Sequence, residues 1–358
     1  MTMNKTLVFP AGMPQSLAYA KQAERDGRAV VGASSLHHDP AKPHYDAWAF
    51  LPYVTDPDFV TSLQGVVQAH SVTSIYTPNA VVWEMLDAAL PNALPNVSLV
   101  NSHPMRELED TYKASNDFAR SLSEAEVPLF VPTGRSLPPL AKLASIYHHL
   151  EAIPGMCDHD KTRALFAIFQ SAPAGDVVEI GSWWGKSAFL LAQLAQMNGT
   201  GPVLCVDPWD MKNIVQNDAG GLVDAVDVDP AGAFQIFLVN LLPYAQGRLN
   251  YLRKASVDAA PVYAASRQIE SPEFDAVTYS GEISVLHIDG NHSEAAVRAD
   301  VEAWCSMVKP GGWIILDDYV WPYGDGPKVV GDAYLEKRQD EIATSFVMGS
   351  ALFIKLTG

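Results

Sequence analysis

The sequence is short of cysteine, short of cations and free of long apolar runs, and each shortage removes a class of protein. Its three cysteines, Cys157, Cys205 and Cys305, stand far apart in apolar surroundings. An odd, scattered set reads as reduced buried thiols rather than a disulfide framework or a zinc site, and fits a cytoplasmic protein. Lys and Arg number 24 against 41 Asp and Glu, a net charge of −17. A phosphate polymer would meet repulsion, so nucleic acid is not an expected partner. No window approaches the roughly 18 apolar residues of a membrane span. The opening MTMNKTLVFPAGMPQ reaches proline and glycine too early for a signal-peptide core, so no membrane association is expected.

What is present is enough apolar material for two cores: 358 residues, 48% of them hydrophobic. Residues 1–125 read as a small Rossmann-like α/β domain. Strands are expected near Thr6–Phe9, Ala29–Ala33, Tyr45–Leu51, Ser74–Thr77 and Val97–Val100, with helices near Gln15–Asp26, from Asp56 on, and near Val81–Ala89. The first turn, PAGMPQS, has one glycine where a dinucleotide fingerprint needs three. The alternation resembles the small leading domain of ATP-grasp ligases, without a diagnostic motif. No ATP-grasp body follows, so no ligase chemistry is implied. Residues 126–150, with the proline-broken VPLFVPTGRSLPPLAK, read as a connecting segment. Residues 151–358 read as a second α/β domain, with a helix around Lys161–Gln170 and an apolar strand at Asp176–Ile180.

In that second domain, DVVEIGSWWGKSAFLLAQLAQ is a buried strand, a glycine turn and a helix, the place where an open α/β sheet binds ligands. Glu179, Gly181, Gly185 and Ser187 form E-x-G-x-x-x-G-x-S. The glycines allow a sharp turn and close approach to a ligand, and the helix start offers free N–H groups. A phosphate-binding P-loop needs four residues between its glycines, and this loop has three, two of them Trp183 and Trp184 beside Ser182. The next strand, PVLCVDPWD, ends at Asp207, placed to accept hydrogen bonds from ribose hydroxyls. Trp209, two residues on, is the candidate for packing on an adenine. A nicotinamide cofactor would use the same features.

Further on, ISVLHIDGNHSEAAV ends a strand at Asp289, and GGWIILDDYVWP ends one at Asp317 and Asp318. In a parallel sheet these carboxylates converge at one edge, where like charges repel unless a cation joins them. Mg²⁺ or another divalent cation takes such oxygens. A helix cap and a solvated loop are the alternative. His292, three residues past Asp289, carries an imidazole suited to take a proton near neutral pH. The adjacent pairs His37–His38 and His148–His149 point apart and make poor chelates.

From IPGMCD at 153 to the closing FVMGSALFIKL, these motifs resemble the metal-dependent O-methyltransferases, the macrocin and mycinamicin sugar type more closely than the related catechol type. Carried over position by position, the resemblance implies a class I S-adenosylmethionine-dependent domain with a mostly parallel sheet and a closing antiparallel hairpin. It implies cofactor contacts from Glu179, Gly181, Ser182, Trp183, Gly185, Ser187, Asp207, Trp209 and Asp289, and a divalent ion on Asp289, Asp317 and Asp318. It places His292 as general base toward a hydroxylated small molecule, a sugar or glycosylated metabolite. The sequence departs from the sugar type in the insertion GGLVDAVDVDPAGAF and in its leading domain, which leaves the acceptor undetermined. A homo-oligomer stays open. So do two other readings: a non-catalytic or regulatory S-adenosylmethionine-binding protein, and an NAD-linked oxidoreductase.

Overall fold

The computed structural model of the chain describes residues 5–124, 127–129, 136–216, 221 and 229–358. It divides into two compact units, Met1–Ala114 and Ser115–Gly358. In the first, β1 (Lys5–Val8), α1 (Pro14–Arg25), β2 (Val30–Ser34), β3 (Ala47–Phe50), α2 (Phe59–His70), β4 (Val72–Tyr76), α3 (Ala80–Ala93) and β5 (Ser98–Leu99) precede α4 (Pro104–Glu124). The sheet runs β3-β2-β1-β4-β5 with every pairing parallel. Runs such as VVGAS in β2 are buried throughout, as a sheet covered on both faces requires. The turn after β1 is closed by the chain's own groups: Ser16 Oγ donates to Pro10 O at 2.6 Å, and Tyr45 Oη to Ala11 O at 2.9 Å.

The division falls inside α4, not at residue 151. Ser115, Phe118, Ala119 and Leu122 recur at helical spacing and are buried. Phe118, Ala119 and Leu122 belong to the same apolar core as Leu143, Ile146, Tyr147 and Leu150 of α5 (Leu140–Ala152). The stretch read as a connecting segment therefore supplies, where it is described, a core helix of the second unit. The apolar stripe of α5 wins over the prolines before it.

The second unit continues with α6 (His159–Phe169), β6 (Asp176–Ile180), α7 (Lys186–Asn198), β7 (Val203–Val206), α8 (Met211–Ile214), α9 (Pro230–Ala245), β8 (Leu249–Leu252) and α10 (Ser256–Ala265). There follow β9 (Gln268–Ile269), β10 (Val277–Thr278), β11 (Ile283–Ile288), α11 (Glu294–Trp304), β12 (Val308–Leu316), α12 (Gly326–Lys337), β13 (Ile342–Met348) and β14 (Ala351–Leu356). Its main sheet has the order β13-β14-β12-β11-β6-β7-β8. Pairings from β12 to β8 are parallel, whereas β14 pairs antiparallel with both β12 and β13. This is a Rossmann-like α/β sheet closed by an antiparallel hairpin. Of the insertion at 220–234, residues 220 and 222–228 lie outside the described residues. No described helix is long and apolar enough to cross a membrane.

Two apolar layers sandwich the sheet. Val177, Val285, Trp313 and Phe353 face one layer, with Leu165, Phe166 and Phe169 of α6 and Phe189 of α7. Val178, Ile180, Leu286, Ile288, Ile314 and Leu316 face the other, with Trp304 of α11. The alternation of period two makes α6 the neighbour of whatever stands at Glu179, His287 and the residues two beyond them.

Candidate functional site

Strand order reverses between β6 and β11, and the carboxyl ends of those strands form the crevice where such sheets take ligands. Register sets what meets there. Ile288 pairs with both Ile180 and Leu316, so the next residues, Gly181, Asp289 and Asp317, stand in one row. One step back, His287 pairs with Glu179 and Ile315.

The glycine turn is built for this crowding. Gly181 has φ +83°, and a Cβ there would lie 2.0 Å from Asp289 O. Its freedom lets the turn pass against the backbone of the neighbouring strand end. Gly185, at φ +86°, meets Leu241 and Phe237 of α9 instead. Both glycines thus allow the chain to approach itself closely. Ser182 and Ser187 are buried at the same turn.

Asp207 ties that turn to the end of β7. Its Oδ2 accepts the Trp183 N–H at 2.9 Å and its Oδ1 the Trp209 N–H at 2.7 Å. Burial pushes its carboxyl up to about 6 despite those two donors. Each oxygen keeps a lone pair that a ribose hydroxyl could use. Trp183 and Trp209 have φ of 44° and 42°, a conformation bulky residues adopt only where surroundings enforce it. Trp209 does not stand open for an adenine. It is 2% exposed, its indole sits among Phe234, Phe237 and Tyr251, and its Nε1 donates to Trp183 O at 2.9 Å. The aromatic core of α9 and β8 takes the ring that the sequence offered to a ligand.

The acid cluster also differs from the expected trio. Lys161, on α6 and 1% exposed, donates to Asp317 Oδ2 and lies 3.7 Å from Asp289 Oδ2. Asp317 Oδ1 accepts from Ser350 Oγ at 3.0 Å and from the Asp318 N–H at 2.9 Å. His287 bridges the next pair of acids: Nδ1 is 3.1 Å from Glu179 Oε1, and Nε2 is 3.6 Å from Asp317 Oδ2. Burial opposes charge on His287, but the Asp317 and Glu179 carboxylates on either side of the ring raise it to about 9. Burial also works against charge on Asp317, yet the Lys161 ammonium and His287 hold its carboxyl well below the usual range. Lys161 and His287 thus stand against Asp317, and among the described residues Glu179 Oε2 is buried without a partner.

Asp318 turns the other way. Its φ of 51° breaks the strand geometry, so neighbouring acids face different groups: Asp317 meets Lys161, and Asp318 Oδ2 lies 3.1 Å from His292 Nε2. That same nitrogen is 3.9 Å from Asp289 Oδ1. Burial holds His292 down at about 4, so its imidazole is neutral, and its Nδ1 is buried without a partner among the described residues. Burial and the charge on Asp317 push Asp289 well above the carboxylate range, and the same causes push Asp318 up to about 6. Both carboxyls are raised because burial and the like charge on Asp317 disfavour a further anion beside it.

One donor from each of Asp289, His292 and Asp318 lies within 4.8 Å of the others, a set of two carboxylates and an imidazole that fits a divalent ion. A second group, His287, Asp289 and Asp317, meets the same distance criterion, but Lys161 already occupies it. Trp321 stands edge-on to His292, with ring centroids 4.6 Å apart, and contacts the exposed Tyr323 in turn. The loop after β11 is pinned from the segment following α8: Asn291 Nδ2 donates to Val215 O at 2.6 Å, and Gln216 Oε1 accepts the His292 N–H at 2.7 Å.

Sequence reasoning missed Lys161 and His287. The signals were there: a lysine four residues before Leu165 on the apolar stripe of α6, and a histidine inside the largely apolar β11. Neither the His37–His38 nor the His148–His149 pair joins a possible metal group among the described residues.

No curated protein matches the chain. Among solved structures, the O-methyltransferase NovP is 15% identical, over 70% of this chain and 99% of that one, with a TM-score of 0.39. The calicheamicin methyltransferase CalS11 is 14% identical, over 72% and 94%, with a TM-score of 0.37. The MycE methyltransferase of the mycinamycin biosynthetic pathway, in complex with Mg and SAH, is 16% identical over 51% and 46%, with a TM-score of 0.32. Residues 178–319, which hold the glycine turn, Asp207, Asp289, His292, Asp317 and Asp318, match the family model of a methyltransferase domain.

Proposed function

We propose that the chain is an S-adenosylmethionine-dependent O-methyltransferase acting on a hydroxylated small molecule, a sugar or glycosylated metabolite being the first class to test. One observation carries the reading. A neutral imidazole and the carboxyls of Asp289 and Asp318 stand together at the end of β11 and β12, beside the glycine turn of a span that matches a methyltransferase domain. A site that only binds a nucleotide needs neither.

In this reading S-adenosylmethionine supplies an electrophilic methyl group, and the turn from Gly181 to Ser187, with Asp207 at the ribose, holds it. His292 accepts the proton of the acceptor hydroxyl as its oxygen takes the methyl. Asp318, 3.1 Å from the ring, stabilises the imidazolium that forms. Asp289 and Asp318 are the carboxylates that would hold a divalent cation, leaving His292 to take the proton. Such an ion would lower the pKa of the acceptor hydroxyl. Trp321 excludes water on one side of His292 and offers an apolar wall to an acceptor.

Calorimetric titration with S-adenosylhomocysteine and with NAD, followed by transfer of labelled methyl to a panel of sugars, polyols and phenols, tests the proposal. Binding of S-adenosylhomocysteine with label on a hydroxyl is expected. Binding of NAD alone would replace it with hydride chemistry, and cofactor binding without transfer to any acceptor would favour a regulatory role.

A further inference from the structure

The acid cluster contains a cation of its own. Lys161 is the third residue of α6, whose start is capped by Asp158 Oδ1 accepting the Lys161 N–H at 2.7 Å. A cation is disfavoured in the first turn of a helix by the helix dipole, and burying an ammonium in an apolar layer is costly unless it is paired. Helix formation and core packing therefore both argue against lysine here. Among the described residues, Asp317 and Asp289 at the strand ends are the acids that face it and offset the cost.

Geometry shows what the ammonium does to them. It lies on Asp317 Oδ2 and 3.7 Å from Asp289 Oδ2, the side of both acids that a shared metal ion would need. Asp317 has no free side left, because Ser350 Oγ and the Asp318 N–H bind its other oxygen. Asp289 keeps Oδ1 toward His292, where Asp318 also points.

We propose that the Lys161 ammonium is the resident cation of the Asp289–Asp317 pair. It removes Asp317 from the set available to a divalent ion and confines that ion to the side where Asp289 Oδ1 and Asp318 point. Lys161 is a positioning residue: it touches neither methyl donor nor acceptor, and acts by deciding which carboxylate oxygens face the opening. The inference rests on the methyltransferase reading only for the role of the cluster.

The test compares Mn²⁺ binding to the full chain and to Lys161→Met, by electron paramagnetic resonance of free Mn²⁺ during a MnCl₂ titration. Melting temperatures are recorded in EDTA and in MnCl₂. With the ammonium gone, Asp289 and Asp317 become available together, so Lys161→Met is expected to bind Mn²⁺ at least about tenfold more tightly than wild type. It should melt roughly 10 °C lower in EDTA and recover most of that loss in MnCl₂. Mn²⁺ affinity equal to or weaker than wild type overturns the proposal, because a lysine that merely supports the fold would leave the ion nothing to gain.

Should the single variant fail to fold, Lys161→Met with Asp317→Asn removes both charges at once. It should bind Mn²⁺ no more weakly than wild type, and a tenfold loss would return Asp317 to the ion's ligands. S-adenosylhomocysteine is titrated in parallel. Its failure to bind would overturn the functional reading while leaving the Mn²⁺ comparison to decide the role of Lys161.

Discussion

Asp158 and Lys161 are joined by a hydrogen bond of 2.7 Å from the Lys161 N–H to Asp158 Oδ1, so the residue that starts α6 also sets where its buried cation stands. Asp158 Oδ2 accepts the Ser350 N–H at 3.2 Å, and Ser350 Oγ reaches Asp317 Oδ1 at 3.0 Å. One exposed acid thus links the helix start, the β13–β14 turn and the acid cluster. Replacing Asp158 with Ala should cost about 1 kcal/mol from the lost cap, read as a lower urea midpoint with an unchanged slope. An unchanged midpoint would show that the cap is not needed.

His292→Ala should lower turnover roughly 10²–10⁴-fold, the usual range for a lost general base. S-adenosylhomocysteine affinity should hold within about twofold, since the ring faces Asp318, Asp289 and Trp321 rather than the glycine turn. Mn²⁺ titration separates base from ligand: preserved Mn²⁺ affinity keeps the base assignment, and its collapse makes His292 a metal ligand instead.

Gly181→Ala and Gly199→Ala form a matched pair. Both positions have positive φ, +83° and +61°, but a Cβ at 181 meets Asp289 O at 2.0 Å whereas one at 199 meets nothing within 4 Å. The second should cost about 1 kcal/mol from backbone strain alone. The first should cost roughly 2–4 kcal/mol and also weaken S-adenosylhomocysteine binding, since the end of β11 must move. Equal melting temperatures for the two variants would contradict the close approach.

Asp300, on α11, is 6% exposed, and burial lifts its carboxyl to about 6, with only a Ser256 hydroxyl acting against that. Its folded value lies above the unfolded one, so the neutral acid is what the fold favours. Its stabilising contribution is complete below about pH 4 and is lost as pH rises through 6. Asp300→Asn should match wild type near pH 4 and exceed it by on the order of 2 kcal/mol at pH 8. Thermal melts across that range check the sign, and a gain largest at acid pH would refute it.

Much of the architecture was legible because it is written in local periodicity. The buried run of β6 and the five strands of the first unit follow from apolar runs bounded by turns, which need no long-range information. The boundary between units was not legible. The stripe Ser115, Phe118, Ala119 and Leu122 announces a buried helix face, but nothing in it says which core the face joins. Trp209 shows the same limit from the site's side. An indole two residues past Asp207 reads equally as a ligand platform or a core residue until Phe234, Phe237 and Tyr251 are seen to enclose it.

By itself the sequence determined the α/β class, the glycine turn and which polar side chains end the strands: Asp207, Asp289, His292, Asp317 and Asp318 are tied to motifs a few residues long. Tertiary structure alone decided how those acids divide. Parallel register puts Asp289 beside Asp317, a left-handed Asp318 turns toward His292, and α6 delivers Lys161 from 156 residues away in sequence. Charge pairing acts over a few ångströms in space, and that proximity has no trace in the order of the chain.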